Sequence, residues 1–182
     1  MRIPKREPHR APKGSKLTLG QAKPRLRPNI AICVINSQNE ALLISRSEYR
    51  KNDWQFPQGG IEPGENLTQA ALRELNEEVG LTRAKVLGVY SKIYTYRWPK
   101  KLLALRDGHS ADGYVGQEQS LAIVRVNEHR PKLKPDPREA ARVMWVPLPQ
   151  LIKSLHPVRR ALGKLAMVEL EKLILEPAKL AR

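Results

Sequence analysis

Glu74, Glu77 and Glu78 stand at i, i+3 and i+4, a spacing that projects three carboxylates from one face of a helix with about 3.6 residues per turn. Such a cluster repels itself and raises its own pKa values unless cations neutralise it, and hard divalent ions with oxygen ligands are the usual partners. Mg2+ is the expected ion, two or more of them, with Mn2+ as the alternative. On the other side of the same segment Ala71, Leu72, Leu75 and Val79 recur at helical spacing and can bury against a sheet. A glutamate-rich helix face is by itself more often just solvated; the loop ahead of it argues otherwise. Trp54 to Glu65 reads WQFPQGGIEPGE, with glycines where a chain must turn or admit a phosphate to its backbone. The helix is expected to begin near Asn66 or Thr68, where exposed amides and the helix dipole favour anions, and to end on a Gly80 cap.

Gly59, Glu65, Arg73-Glu74-Leu75, Glu77-Glu78 and Gly80-Leu81 follow one another at the spacing of the Nudix box, Gly-x5-Glu-x7-Arg-Glu-aliphatic-x-Glu-Glu-x-Gly-aliphatic. The chain therefore resembles the Nudix hydrolase family, at all nine specified positions. With about 6% for each Gly, Glu or Arg and about 30% for an aliphatic, a chance match at a given start is on the order of one in a billion. The resemblance implies an α/β fold, an α/β/α sandwich with a mixed β-sheet and a loop-helix-loop box. It implies metal ligation by Glu74, Glu77 and Glu78, with the backbone of Gly60 as a further ligand. Gly59, Glu65, Arg73 and Gly80 would be structural, Arg73 and Glu65 holding the loop against the helix by ion pairing or backbone bonding.

Further stretches are similar to the subgroup of bacterial RNA 5′-pyrophosphohydrolases and dinucleoside polyphosphate hydrolases: Arg27-Pro28-Asn29, the run Trp54 to Ile61, and Gly116-Gln117-Glu118-Gln119. In the RNA enzymes a Glu six residues ahead of a Trp supplies another metal-binding carboxylate; here Glu139 stands at that distance from Trp145. Glu139 is thereby implied as a fourth ligand or as the group that orients water. Candidate substrate contacts are Arg27, Gln117, Arg46 and Arg50, the last two as alternatives for gripping an RNA phosphate, and Lys100 and Lys101 for the 5′ phosphates. The chain departs from the subgroup at Ser120-Leu121-Ala122, where bulky aromatics are usual, in a variable loop from Leu105 to Tyr114, and in one extra residue between Arg46 and Asp53.

The chemistry implied is hydrolysis of a phosphoanhydride by water with metal-ion help. Proton removal requires a carboxylate near that water; Glu78 and Glu139 are rivals for the role, with Glu74 a third catalytic candidate that serves chiefly as a ligand. Four readings compete. An RNA pyrophosphohydrolase, converting a 5′-triphosphate or diphosphate RNA end to a monophosphate, leads. A diadenosine polyphosphate hydrolase is second, a cleaner of single nucleoside triphosphates third, and an inactive RNA-binding protein of the same fold last, since a degenerate member should lose its costly like-charge cluster first.

The elements needed to position these groups are visible as patterns. Asn29 to Asn36 and Ala41 to Ser45 are apolar runs split by Ser37-Gln38-Asn39-Glu40, a hairpin. Lys85 to Tyr94, Ser120 to Val126 and Arg142 to Val146 are further β-rich runs. A short turn around Leu148 to Leu155 and a helix from about Pro157 to Leu175 complete the set, the helix showing Leu162, Leu165, Ala166, Val168, Leu170, Leu173 and Ile174 on a wide face.

A chain of 182 residues with 41% hydrophobic content suffices for one packed domain, expected over 29–182. The lone cysteine, Cys33, lies in an apolar run and reads as an inert buried thiol. The net charge of +15 is uneven: residues 1–28 hold nine Lys or Arg against Glu7 alone, together with five prolines. Such a segment cannot bury enough apolar surface to fold and reads as a disordered basic arm with affinity for a polyanion such as the RNA backbone. No stretch nears the roughly 20 apolar residues of a membrane span and no secretory signal core opens the chain. A soluble cytoplasmic protein is expected, organellar import through the arm being the minor alternative.

Overall fold

In the computed structural model the described residues are 25–46, 53–99 and 113–175, with side chains through Leu173. Residues 1–24 of the expected arm, together with Arg50, Lys100, Lys101 and most of the variable loop, lie outside them. The strands are β1 (Arg25–Ile35), β2 (Glu40–Ser45), β3 (Gln58–Gly60), β4 (Lys85–Arg97), β5 (Tyr114–Arg125) and β6 (Arg142–Pro147). The helices are α1 (Leu67–Val79), α2 (Leu151–Ser154) and α3 (Arg160–Leu175), with single 3-10 turns over Leu148–Gln150 and Pro157–Arg159.

The sheet runs β4-β5-β1-β2-β6, with β3 paired to β1. β1 and β5 are parallel, with Ile30 opposite Ser120 and Ile35 opposite Arg125, while every other pairing is antiparallel. The sheet is therefore mixed. Its central strands read as unbroken apolar runs because both faces are covered. Alternation along each strand sends successive side chains to opposite layers: Ile30, Ile32 and Val34 of β1 meet Ala71, Leu75 and Val79 of α1. Ala31, Cys33 and Ile35 meet Leu162, Ala166 and Leu170 of α3. The result is the expected α/β/α sandwich, and Cys33 sits at its centre, its thiol pushed up to about 12 by burial.

Three boundaries differ from expectation. β1 takes in Arg25 to Pro28, which pair with Tyr114 to Glu118, ahead of the apolar run that begins at Asn29. β5 starts at Tyr114 rather than Ser120, because pairing with β1 on one side and β4 on the other overrides the weak β-propensity of the Gly116-Gln117-Glu118-Gln119 segment. β4 continues past Tyr94 to Arg97 through a bulge in which Lys92 has a φ of 51°. Among the described residues no helix is long and apolar enough to cross a membrane.

Candidate active site

Helix α1 is built by its own sequence. Asn66 caps the start by accepting from the Gln69 N–H at 2.9 Å, and the Gln69 side chain returns a bond from the Asn66 N–H at 2.9 Å, a reciprocal arrangement that satisfies two free amides. At the far end Gly80 takes a φ of 66° and donates to the Asn76 carbonyl, while Leu81 N–H reaches the Leu75 carbonyl at 3.2 Å. Burial of Ala71, Leu75 and Val79 then orients Glu74, Glu77 and Glu78 toward one cleft of about 770 Å³.

The glycine loop is docked on that helix from two sides. β3 pairs Gln58, Gly59 and Gly60 with Ala31, Ile30 and Asn29, and Gln58 N–H donates to Glu78 Oε2 at 2.9 Å. Arg73 spans the gap: its Nε and Nη2 donate to the two oxygens of Glu65 at 2.6 and 2.9 Å, and Nη2 also donates to the Gly60 carbonyl at 2.8 Å. Its Nη1 donates to Glu74 at 2.8 Å and to Glu77 at 3.2 Å. Bidentate charge-assisted bonds of this kind are among the stronger polar contacts available. The Arg73 guanidinium, helped by the Glu62 N–H, holds the Glu65 carboxyl down at about 2.

The three box carboxylates sit in graded environments. Glu77 is exposed and Glu74 mostly covered. Glu78 is 2% exposed, and burial, with Glu74 adding like charge, pushes its carboxyl up to about 8 against the opposing Gln58 N–H. Burial also raises Glu74, with Arg73 pulling the other way. Glu139 reaches the same cleft from a distant segment tied to the end of α1, Lys134 N–H donating to the Val79 carbonyl at 2.8 Å and Asp136 N–H to the Glu78 carbonyl at 2.9 Å. There Glu139 is ion-paired with Arg46, so two residues expected to serve metal and substrate separately meet each other.

Among the described residues no three acidic, His or Cys side chains draw together into a ready chelating group; Arg73 and Arg46 hold several of the carboxylates instead. The donor set nonetheless fits a hard cation. All four glutamates line one cleft, their oxygens are the ligands Mg2+ prefers, and among the described residues the deepest of them, Glu78, forms no ion pair, Arg46 acting on it only at longer range. Arg27 and Gln117 line the same cleft.

Other groups were not singled out by their spacing. Gln119, fully buried, donates to Asn29 Oδ1 at 3.0 Å and to Gln58 Oε1 at 2.8 Å. Tyr96 donates to Gln117 Oε1 at 2.6 Å, and Arg159 donates to Tyr96 at 2.9 Å. The available signal was the set of amides at Asn29, Gln58, Gln117 and Gln119 inside β-rich stretches, since buried polar side chains there require partners.

Residues 25–166 match the NUDIX domain. The chain is 33% identical over 162 residues to the RNA pyrophosphohydrolase of Actinobacillus succinogenes, covering 84% of this chain and 78% of that one. It is 37% identical over 150 residues to the RNA pyrophosphohydrolase of Pseudomonas putida, covering 77% and 91%. Other bacterial relatives are spanned over only about half of their length. Among solved structures the Ap4A hydrolase of Caenorhabditis elegans superposes with a TM-score of 0.58 at 19% identity, covering 81% of this chain and 99% of that one, a likeness of fold. With the full box, the sandwich and the match over 25–166 in agreement, the chain belongs to the NUDIX family of hydrolases.

Proposed function

We propose that this protein is an RNA pyrophosphohydrolase that converts 5′-triphosphate or diphosphate RNA ends to monophosphates. The observation that carries the reading is one cleft in which Glu74, Glu77, Glu78 and Glu139 face the guanidinium groups of Arg27 and Arg46, acids for cations beside bases for phosphates. The two bacterial relatives named for that activity support it.

Glu74, Glu77, Glu78 and Glu139 would hold Mg2+, with Mn2+ as the alternative and the Gly60 carbonyl as a further oxygen. When bound, the ions supply charge neutralisation of the polyphosphate and a more acidic water. The protein's own groups do the rest. Arg73 keeps Glu65 and the glycine loop in register with the helix. Glu78, held by the Gln58 N–H and raised by burial, is suited to take a proton near neutral pH; Glu139, released from Arg46, is the rival base. Arg46 so released, together with Arg27, binds phosphate oxygens. The basic arm tracks the RNA backbone, Lys100 and Lys101 or Arg50 adding phosphate contacts. A cytoplasmic setting goes with this reading.

Hydrolysis of diadenosine tetraphosphate is the second reading, favoured by an aromatic cavity of about 270 Å³ containing Trp54, Tyr96 and Trp98, which offers stacking room for a second nucleoside. The two are separated by comparing rates on a 5′-triphosphorylated oligonucleotide and on diadenosine tetraphosphate, with and without residues 1–24. The RNA reading expects the deletion to slow the oligonucleotide alone and high salt to mimic the deletion. Dinucleotide cleavage orders of magnitude faster than RNA cleavage would reverse the assignment.

A further inference from the structure

Lys85, the first residue of β4, stands directly opposite Arg125, the last residue of β5. Residues paired in this way send their side chains to the same face of a sheet, and both of these line one hollow of about 290 Å³. Like charges directly opposite one another destabilise a sheet, yet no acid separates them. Among the described residues Lys85 has no hydrogen-bond or ion-pair partner, and the Arg125 guanidinium donates only to the neutral Oδ1 of Asn39 at 2.9 Å. A second hollow of about 140 Å³ continues the first, sharing Arg83, Asn127 and Glu128 with it and adding Lys132. The two make one furrow in which Arg83, Lys85, Arg125 and Lys132 face a single carboxylate, Glu128.

These cations are not needed by the helix they adjoin. The last carbonyls of α1 are filled by backbone N–H groups, Leu75 by Leu81, Asn76 by Gly80, Glu78 by Asp136 and Val79 by Lys134. Arg83, Lys85 and Lys132 are exposed, and among the described residues the side chains of Arg83 and Lys132 have no partner either. A local arrangement that works against the fold without an internal remedy marks a functional surface.

The furrow lies at the other end of β5 from the acidic cleft. Gln117 lines the cleft and Arg125, eight residues further along the same strand, lines the furrow, a span of about 26 Å at about 3.3 Å per residue. Residues 131–139 join the two places: Pro131 and Lys132 border the furrow, Glu139 borders the cleft, and the exposed side chain of Lys134 between them is unpaired among the described residues. At about 3.4 Å per stacked nucleotide, a strand whose 5′ phosphates lie in the cleft reaches the furrow after about eight nucleotides.

Resting on the RNA reading above, we propose that the furrow between β4, β5 and the end of α1 binds the sugar-phosphate backbone of the RNA body, downstream of the 5′ end held in the cleft. A phosphate beside Lys85 and Arg125 relieves their repulsion, and Arg83 and Lys132 supply further contacts. Such contacts carry no base preference and make affinity depend on strand length and on salt.

The test uses the full chain and three variants: Lys85→Gln, Lys85→Gln/Arg125→Gln, and a fourfold variant that adds Arg83→Gln and Lys132→Gln. KM is measured on a 5′-triphosphorylated dinucleotide and on a 5′-triphosphorylated strand of about sixteen nucleotides, long enough to span both places at that spacing. Affinity is measured for the same strand with a 5′-hydroxyl end, which offers no anhydride to cleave. The fourfold variant is expected to raise KM for the long strand about tenfold and to leave kcat and the dinucleotide KM near wild type. Its slope of log affinity against log salt should fall in magnitude by about 3, at about 0.7 per lost phosphate contact. Relief of the cross-strand repulsion should keep the double variant at or above the wild-type melting temperature. Equal changes in KM at both lengths, an unchanged salt slope, or tighter binding of a polyglutamate peptide than of the 5′-hydroxyl strand would overturn the proposal. If wild type hydrolyses diadenosine tetraphosphate but neither triphosphorylated RNA, the RNA reading itself fails, and the 5′-hydroxyl strand still decides whether the furrow holds a nucleic-acid backbone. Should the fourfold variant misfold, Lys85→Gln alone is expected to lower the salt slope by about 0.7, and no change in it would count against the furrow.

Discussion

The carboxylate of Glu74 occupies the space that a side chain on Gly59 would need: a β-carbon there would lie 1.8 Å from the Glu74 carboxyl carbon and 2.0 Å from each of its oxygens. Glycine at this position is a condition for the acid to reach the cleft. Gly59→Ala is expected to fold, since its backbone needs no left-handed conformation, and to swing Glu74 aside. Misplacement by about 1 Å costs on the order of 100-fold in rate. Turnover near wild type in a variant with an unchanged melting profile would show that Glu74 does not act from this place.

Glu65 and Arg73 test the scaffold rather than the chemistry. The Glu65 carboxyl is lowered from 4.5 to about 2, chiefly by the Arg73 bonds. A depressed carboxyl contributes stability that is fully present above its unfolded value and lost as pH falls through the folded one. Wild type should therefore exceed Glu65→Gln in denaturant midpoint above pH 4.5, and the two curves should converge as pH falls toward 2. A constant gap across that window would assign the difference to packing.

Glu78 titrates in the opposite sense. Its carboxyl is raised from 4.5 to about 8 without metal, so its contribution to stability is complete below pH 4.5 and is lost as pH rises through 8. Divalent cations require the ionised form. Mn2+ affinity, followed by calorimetry, is expected to climb between pH 6 and 8 in wild type and to lose most of that slope in Glu78→Gln. The same variant should fold and lose nearly all turnover; full activity in it would leave Glu139 as the base.

Gly80 ends α1 with a φ of 66°, and a β-carbon there would come within 2.8 Å of Lys134 Cβ and 3.1 Å of the Lys134 carbonyl. Gly80→Ala combines backbone strain with a clash against the segment that carries Glu139. A loss of about 1–3 kcal/mol in unfolding free energy is expected, together with weaker metal binding as that segment shifts. An unaltered denaturation curve would contradict the role of this cap.

Much of the site was legible because it is local. Helical periodicity alone brings Glu74, Glu77 and Glu78 to one face, and Gly80 announces the end of their helix, since both depend on residues within two turns of each other. The apolar runs of β1, β2 and β5 likewise announced strands. Their order in the sheet was not in the pattern, nor was the early start of β5, because strand pairing joins residues as far apart as Arg25 and Tyr114.

Glu139 shows the division most clearly. Its distance from Trp145 marked it as a candidate, but its place in the cleft follows from bonds between the Lys134 to Asp136 backbone and the end of α1, and its pairing with Arg46 links positions 93 residues apart. The Gln58–Tyr96–Arg159 contact joins three separate elements in the same way. By itself the sequence determined the acid-bearing helix, its caps and the family, because short-range geometry and residue spacing suffice for these. Tertiary structure alone decided which cations face which acids, because contacts between distant segments depend on how the layers pack, and no local rule encodes that.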